Sequence, residues 1–122
     1  MSACLFAAGK ALTLASGLFT LSWIHSVEKL EWRETWQVTP AGLQIMEARV
    51  KGSGAGMEPP PDARILDGWW VYVPKLGPIP ELRLAASGAT GSPWRLCADG
   101  RCLDLGAAPG APVLLRSCSV AR

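Results

Sequence analysis

The sequence predicts an all-β protein, a single-domain β-sandwich or partly closed β-barrel of about nine or ten short antiparallel strands. Three observations carry this. Apolar residues recur at period two along most of the chain, and no stretch combines an apolar stripe at period 3.6 with helix caps. Turn dipeptides and Pro/Gly clusters punctuate those alternating segments at short intervals. The 122 residues suit one domain with a core of its own, read as residues 1–122 throughout.

The opening "MSACLFAAGKALTLASGLFTLSWI" is apolar, but Lys10 divides it and leaves less than a membrane-spanning length on either side. It also lacks the basic leading region of a secretory signal. Residues 1–24 are therefore read as strands rather than as a signal or anchor. A cytoplasmic location is accordingly favoured over a periplasmic or membrane-associated one. From Phe19 to Val27 the apolar residues are odd-numbered, and from Leu30 to Val38 they are even-numbered. A one-residue slip turns a strand over, so the change of parity places a bulge or turn in "HSVEK".

"TPAG" closes a hairpin between Trp36–Val38 and Leu43–Val50. "KGSGAGMEPPPD" then interrupts the sheet, with Gly52, Gly54 and Gly56 alternating before Pro59, Pro60 and Pro61. It has neither the spacing of a dinucleotide fingerprint nor the Lys-Ser/Thr of a phosphate loop, which leaves a shaped connection or an anion nest. In "ARIL-DG-WWVYV" Asp67-Gly68 fits a type I′ turn between two strands. "ELRLAAS" is another strand, followed by the loop "SGATGSP". The hairpin "WRLC-ADGR-CLDL" is the best specified. With Asp99-Gly100 in the turn, Cys97 faces Cys102, Leu96 faces Leu103, Arg95 faces Asp104 and Trp94 faces Leu105.

A net charge of only +2, with acidic and basic residues interleaved, argues against nucleic acid and against a polybasic membrane patch. The single histidine, His25, and the absence of metal-ligand spacings argue against a metal centre, and no cofactor is expected. No nucleophile, base and oxyanion donor stand in a recognisable set, so no enzyme is predicted. Cys97 and Cys102 form a candidate disulfide, and Cys4 with Cys118 would tie the termini; whether these are bridges or free thiols stays open. Trp69 and Trp70, adjacent on one strand, must face opposite ways, and one of them is a candidate exposed anchor.

The blocks "FTLSWIHSVEK", "EARVKGSGAGMEPPPDA", "DGWW" and "SGATGSPWRLCADGRC" resemble the bacterial family known as domain of unknown function 1850. The resemblance implies a small β protein encoded beside TRAP-type transporters with a TAXI-class solute receptor. Its marks fall on His25, Ser26, Val27 and Glu28, and on Gly52, Gly54, Gly56 and Met57. The expected function is thus a non-enzymatic accessory or binding protein that contacts the membrane or receptor subunits of such a transporter. Its binding residues would be His25, Ser26, Glu28, Gly52, Gly54, Gly56, Met57, Trp69 and Trp70. The alternative is a small-ligand or metal-responsive β domain with His25, Glu28 and Met57 at its site.

Overall fold

A computed structural model describes residues 2–7, 9–24, 30–51, 61–86 and 93–118. Among these residues eleven strands are formed: β1 (Ala3–Ala7), β2 (Lys10–Leu14), β3 (Leu18–Ile24), β4 (Glu31–Thr39), β5 (Gly42–Lys51), β6 (Arg64–Leu66), β7 (Trp69–Tyr72), β8 (Glu81–Ala86), β9 (Trp94–Ala98), β10 (Arg101–Leu105) and β11 (Gly110–Ser117). The opening residues form three of these strands. All pairings are antiparallel and lie in two separate sheets, ordered β2-β1-β11-β8 and β10-β9-β3-β4-β5-β7-β6. No strand is shared between them, so the architecture is a sandwich and not a closed barrel.

Alternation explains what lies between the sheets. Ala3, Leu5, Leu14, Leu84, Val113 and Leu115 point inward from the smaller sheet, and Phe19, Leu21, Trp36, Val38, Leu43, Ile45, Ala48 and Leu96 meet them from the larger. Within each strand they fall on every second position, except across one irregularity in β5. The parity change read between β3 and β4 is present in their register, Phe19 facing Trp36 and Trp23 facing Trp32. A second slip was not read from the sequence. Thr35 faces Glu47 but Trp36 faces Ile45, so Met46 is an extra residue in β5 and is exposed. The apolar positions betray it, moving from Leu43 and Ile45 to Ala48 and Val50.

The turns follow their chemistry. Asp67-Gly68 and Asp99-Gly100 have positive φ at both positions, as a type I′ turn requires. The β9–β10 register is the one the sequence predicts, from Ala98 opposite Arg101 to Trp94 opposite Leu105. Pro40 and Ala41 connect β4 to β5, and the Thr39 hydroxyl donates to the Gly42 carbonyl at 2.9 Å. The segment from Val73 to Pro80 carries the chain from the larger sheet to the smaller. It is pinned to β5 by a two-way amide exchange between Leu43 and Ile79, at 2.7 and 2.9 Å, and by the Gln44 amide donating to Leu76 O at 2.8 Å.

Both cysteine pairs are bridged. Cys97–Cys102 spans directly opposed positions with a Cα separation of 4.1 Å, and Cys4–Cys118 joins the first and last strands with a Cα separation of 5.0 Å. The Cys118 amide also donates to Ser2 O at 3.0 Å, so the chain on either side of this bridge is held side by side.

Candidate functional site

Five of the six tryptophans gather at one end of the larger sheet. Register places them there. Trp94 faces Leu105, Trp23 faces Trp32, Trp32 faces Val50, and Val50 faces Trp70, which in turn faces Ile65. One rank of inward-side positions thus crosses the whole sheet and carries Trp94, Trp23, Trp32 and Trp70. The Trp23 ring stacks on Trp32 with centroids 6.1 Å apart and leans on Trp94 at 4.8 Å. Trp94 is fixed further because its indole N–H donates to Ala85 O on the smaller sheet at 3.0 Å.

These rings are half-buried, whereas Trp36 in the middle of the sandwich is only 5% exposed. The difference follows from the smaller sheet, which packs over β4 and β5 and covers their centre. At the end of the strands, rigid aromatic area remains in contact with solvent, which is the kind of surface that binding sites use.

Trp69 lies on the other side of the sheet, as its adjacency to Trp70 demands. The Arg33 guanidinium stands 4.7 Å and the Lys51 ammonium 4.8 Å from its ring centroid. This arrangement favours a cation over an aromatic face. Neither Trp69 nor Trp70 enters the central core: one belongs to the aromatic rank and the other to a cation-lined outer face. Interleaved in sequence, the basic residues are gathered in space. Arg33 faces Arg49, Arg49 faces Val71, and Val71 faces Arg64, with Lys51 opposite Trp69 on the same side. Glu31 and Glu47 lie on the same face and pair with Arg33 and Arg49, so acidic and basic residues remain interleaved there, and only the strand register reveals the grouping.

On the inner side, Glu34 is the one carboxylate among the described residues that is placed among core positions, facing Leu21 on one neighbour and Ala48 on the other. Burial pushes its pKa above the ordinary value of 4.5, while the Trp36 indole N–H, donating at 2.9 Å, offsets part of that. Tyr72, opposite Ala48, is raised in turn by burial and by the Glu34 charge. Below pH 4.5 both folded and unfolded chains carry protonated Glu34. As the pH rises further the unfolded chain ionises first, so stability falls until the raised folded value is passed. Glu34→Gln keeps an acceptor for Trp36 and removes the charge. It is expected to raise Tm at pH 7, with the gain shrinking to nothing below pH 4.5; equal melting of the two proteins at pH 7 would refute a cost of burial here.

Of the residues singled out from the sequence, His25, Ser26, Glu28, Gly52, Gly54, Gly56 and Met57 lie outside the described residues, as does Val27. Their flanks are informative. Ile24 faces Glu31 and Trp32 faces Val50, so the strands bounding residues 25–29 and the strand leading into 52–60 all finish at the tryptophan-bearing end. Sequence reasoning missed Trp23, Trp32 and Trp94 as parts of that surface, although each stands at or one residue from a strand end. All four cysteines are bridged and so offer no thiolates, and no group of potential metal ligands occurs among the described residues. No helix among the described residues is long and apolar enough to cross a membrane.

A family model described as "Domain of unknown function (DUF1850)" matches residues 19–105. No curated protein and no solved structure matches the sequence. The matched span runs from the second residue of β3 through β10 and takes in all but Leu18 of the larger sheet, with its aromatic rank and its cation-lined face. The chain belongs to the DUF1850 family.

Proposed function

We propose that this DUF1850 protein is a non-enzymatic binding module, an accessory of a TAXI-type TRAP transporter system, whose contact surface is the aromatic end of the larger sheet. One observation supports it above the others: four tryptophans stand in a single rank, held by strand register and left half-buried. Aromatic side chains fixed in this way lose little entropy on binding and supply much of the energy of protein contacts. The transporter affiliation comes from the family resemblance. Two disulfides suit an oxidising compartment better than a reducing cytosol, so the module is assigned to the extracytoplasmic side of the membrane.

Affinity capture from mild detergent tests the reading. The immobilised protein is expected to retain a membrane or solute-receptor subunit of the transporter. Trp32→Ala, with folding verified by circular dichroism, is expected to reduce that retention about tenfold or more, the usual scale of a central aromatic contact. Failure of the wild-type protein to retain any transporter subunit would refute the proposed affiliation.

A further inference from the structure

We propose that the β6–β7 hairpin, with the outer face beside it, docks onto an anionic lipid surface. The inference goes beyond the protein-binding role and does not depend on it. Its geometry starts from the position of β6 as the outermost strand of the larger sheet. At the tip, Ile65 is 62% and Leu66 43% exposed, and pleating points them to opposite faces. Trp70 lies across from Ile65, and Trp69 from Leu66. Around the Asp67-Gly68 turn the hairpin therefore presents apolar or aromatic side chains on both faces, where a water-facing edge would carry polar ones.

Basic residues stand behind this hairpin on the outer face, interleaved with Glu31 and Glu47. Arg33 is paired with Glu31 at 2.8 Å and Arg49 with Glu47, but among the described residues Lys51 and Arg64 have no carboxylate partner. Arg33 and Arg49 face one another, and Arg64 continues their row beyond Val71. Glu31 and Glu47 already offset Arg33 and Arg49, which leaves Lys51 and Arg64 as the basic groups on this face without an ion-pair partner among the described residues. A hairpin whose exposed Ile65 and Leu66 lead into the Asp67-Gly68 turn, edged by tryptophan and backed by Lys51 and Arg64, places apolar side chains at the acyl boundary of a bilayer interface and the charged turn and basic groups at its headgroup level. Charge complementarity selects anionic over zwitterionic lipid, because each basic group near such a surface adds to the attraction.

Vesicle sedimentation with the full chain tests this, using phosphatidylcholine alone and phosphatidylcholine with about a third phosphatidylglycerol, a fraction that gives a strongly negative surface. The wild-type protein is expected to bind the anionic vesicles at least tenfold more tightly, with a blue shift of tryptophan emission and loss of binding in high salt. Ile65→Ser/Leu66→Ser should weaken binding about tenfold. These side chains are already exposed, so folding should survive, as circular dichroism would confirm. Lys51→Glu/Arg64→Glu should abolish the preference for anionic lipid. Equal binding to both vesicle types, or none to either, overturns the proposal. Binding of soluble polyglutamate without vesicle binding reassigns the face to an acidic protein and overturns it as well. The vesicles contain no transporter, so this outcome is read separately from affinity capture.

Discussion

Replacing Cys4 and Cys118 together by alanine is expected to destabilise the protein by about 4–5 kcal/mol, the chain-entropy value for a cross-link that closes a loop of roughly this length. The sequence separation of 114 residues makes this bridge span nearly the whole chain. Cys97–Cys102 spans only 5, for which the same relation gives roughly 2 kcal/mol. The two bridges thus differ in what they restrain. One limits the entire unfolded ensemble, and the other limits a hairpin whose turn and cross-strand pairs already specify it. Thermal melts of the two double variants should differ accordingly, with Tm lowered by roughly 15 °C for the terminal pair and by about half that for the hairpin pair. A loss below about 3 °C in the first variant would show that backbone pairing between β1 and β11 suffices to hold the ends.

The next largest effect is expected at Gly42. Its φ of +130° is a conformation that side chains rarely adopt, and an added Cβ would lie 2.5 Å from the Ile79 carbonyl oxygen. That oxygen belongs to backbone, and it is already engaged by the Leu43 amide at 2.7 Å, so it cannot move aside without breaking the Leu43–Ile79 exchange. Gly42→Ala should therefore cost roughly 3 kcal/mol, combining backbone strain with a lost hydrogen-bonded pair. Gly68→Ala serves as the comparison. Its φ of +83° is also unfavourable, but no atom lies within 4 Å of the added methyl, and a penalty of roughly 1–2 kcal/mol is expected. Denaturant unfolding measures both. Hydrogen exchange separates their mechanisms, because only the first should expose the Leu43 and Ile79 amides. Equal losses at the two glycines would exclude steric contact as the cause.

Much of the fold was legible because short-range chemistry decided it. Asp67-Gly68 and Asp99-Gly100 fixed their hairpins, and the pairing of Arg95 with Asp104 and of Trp94 with Leu105 followed from the turn alone. Thr39–Gly42 was recognisable as a turn for the same reason, although the need for glycine at position 42 depends on Ile79, far away in sequence. Longer-range features could not be read so directly. The Met46 bulge shows only as a shift of apolar parity between Ile45 and Ala48, and Glu47 resembles an ordinary surface residue. Glu34 occupies a core position that composition would assign to an apolar side chain, made tolerable by the Trp36 indole. The cation-lined face could not be seen, since Arg33, Arg49, Lys51 and Arg64 come from three strands and become neighbours only through pairing.

The candidate site was legible in part. Trp69 and Trp70 were assigned to opposite faces by pleating alone, and the register agrees. Trp23, Trp32 and Trp94 were read as strand residues without a common purpose, because alignment into one rank requires the order of β9, β3 and β4. The disulfides were undecided between bridge and thiol for a related reason. Opposition of Cys97 and Cys102 follows from one hairpin, while the meeting of Cys4 and Cys118 requires the whole sandwich to close.

The Cys4–Cys118 bridge makes the span between these two residues a covalent ring. Scission at any single peptide bond within that ring, such as the exposed turn at Asp67-Gly68, would linearise the molecule without releasing a fragment. Each half would keep the other at high effective concentration, so the halves could reassociate as rapidly as an intact chain folds. Permanent loss of this protein would then require two separate cuts, or one cut followed by a reductant.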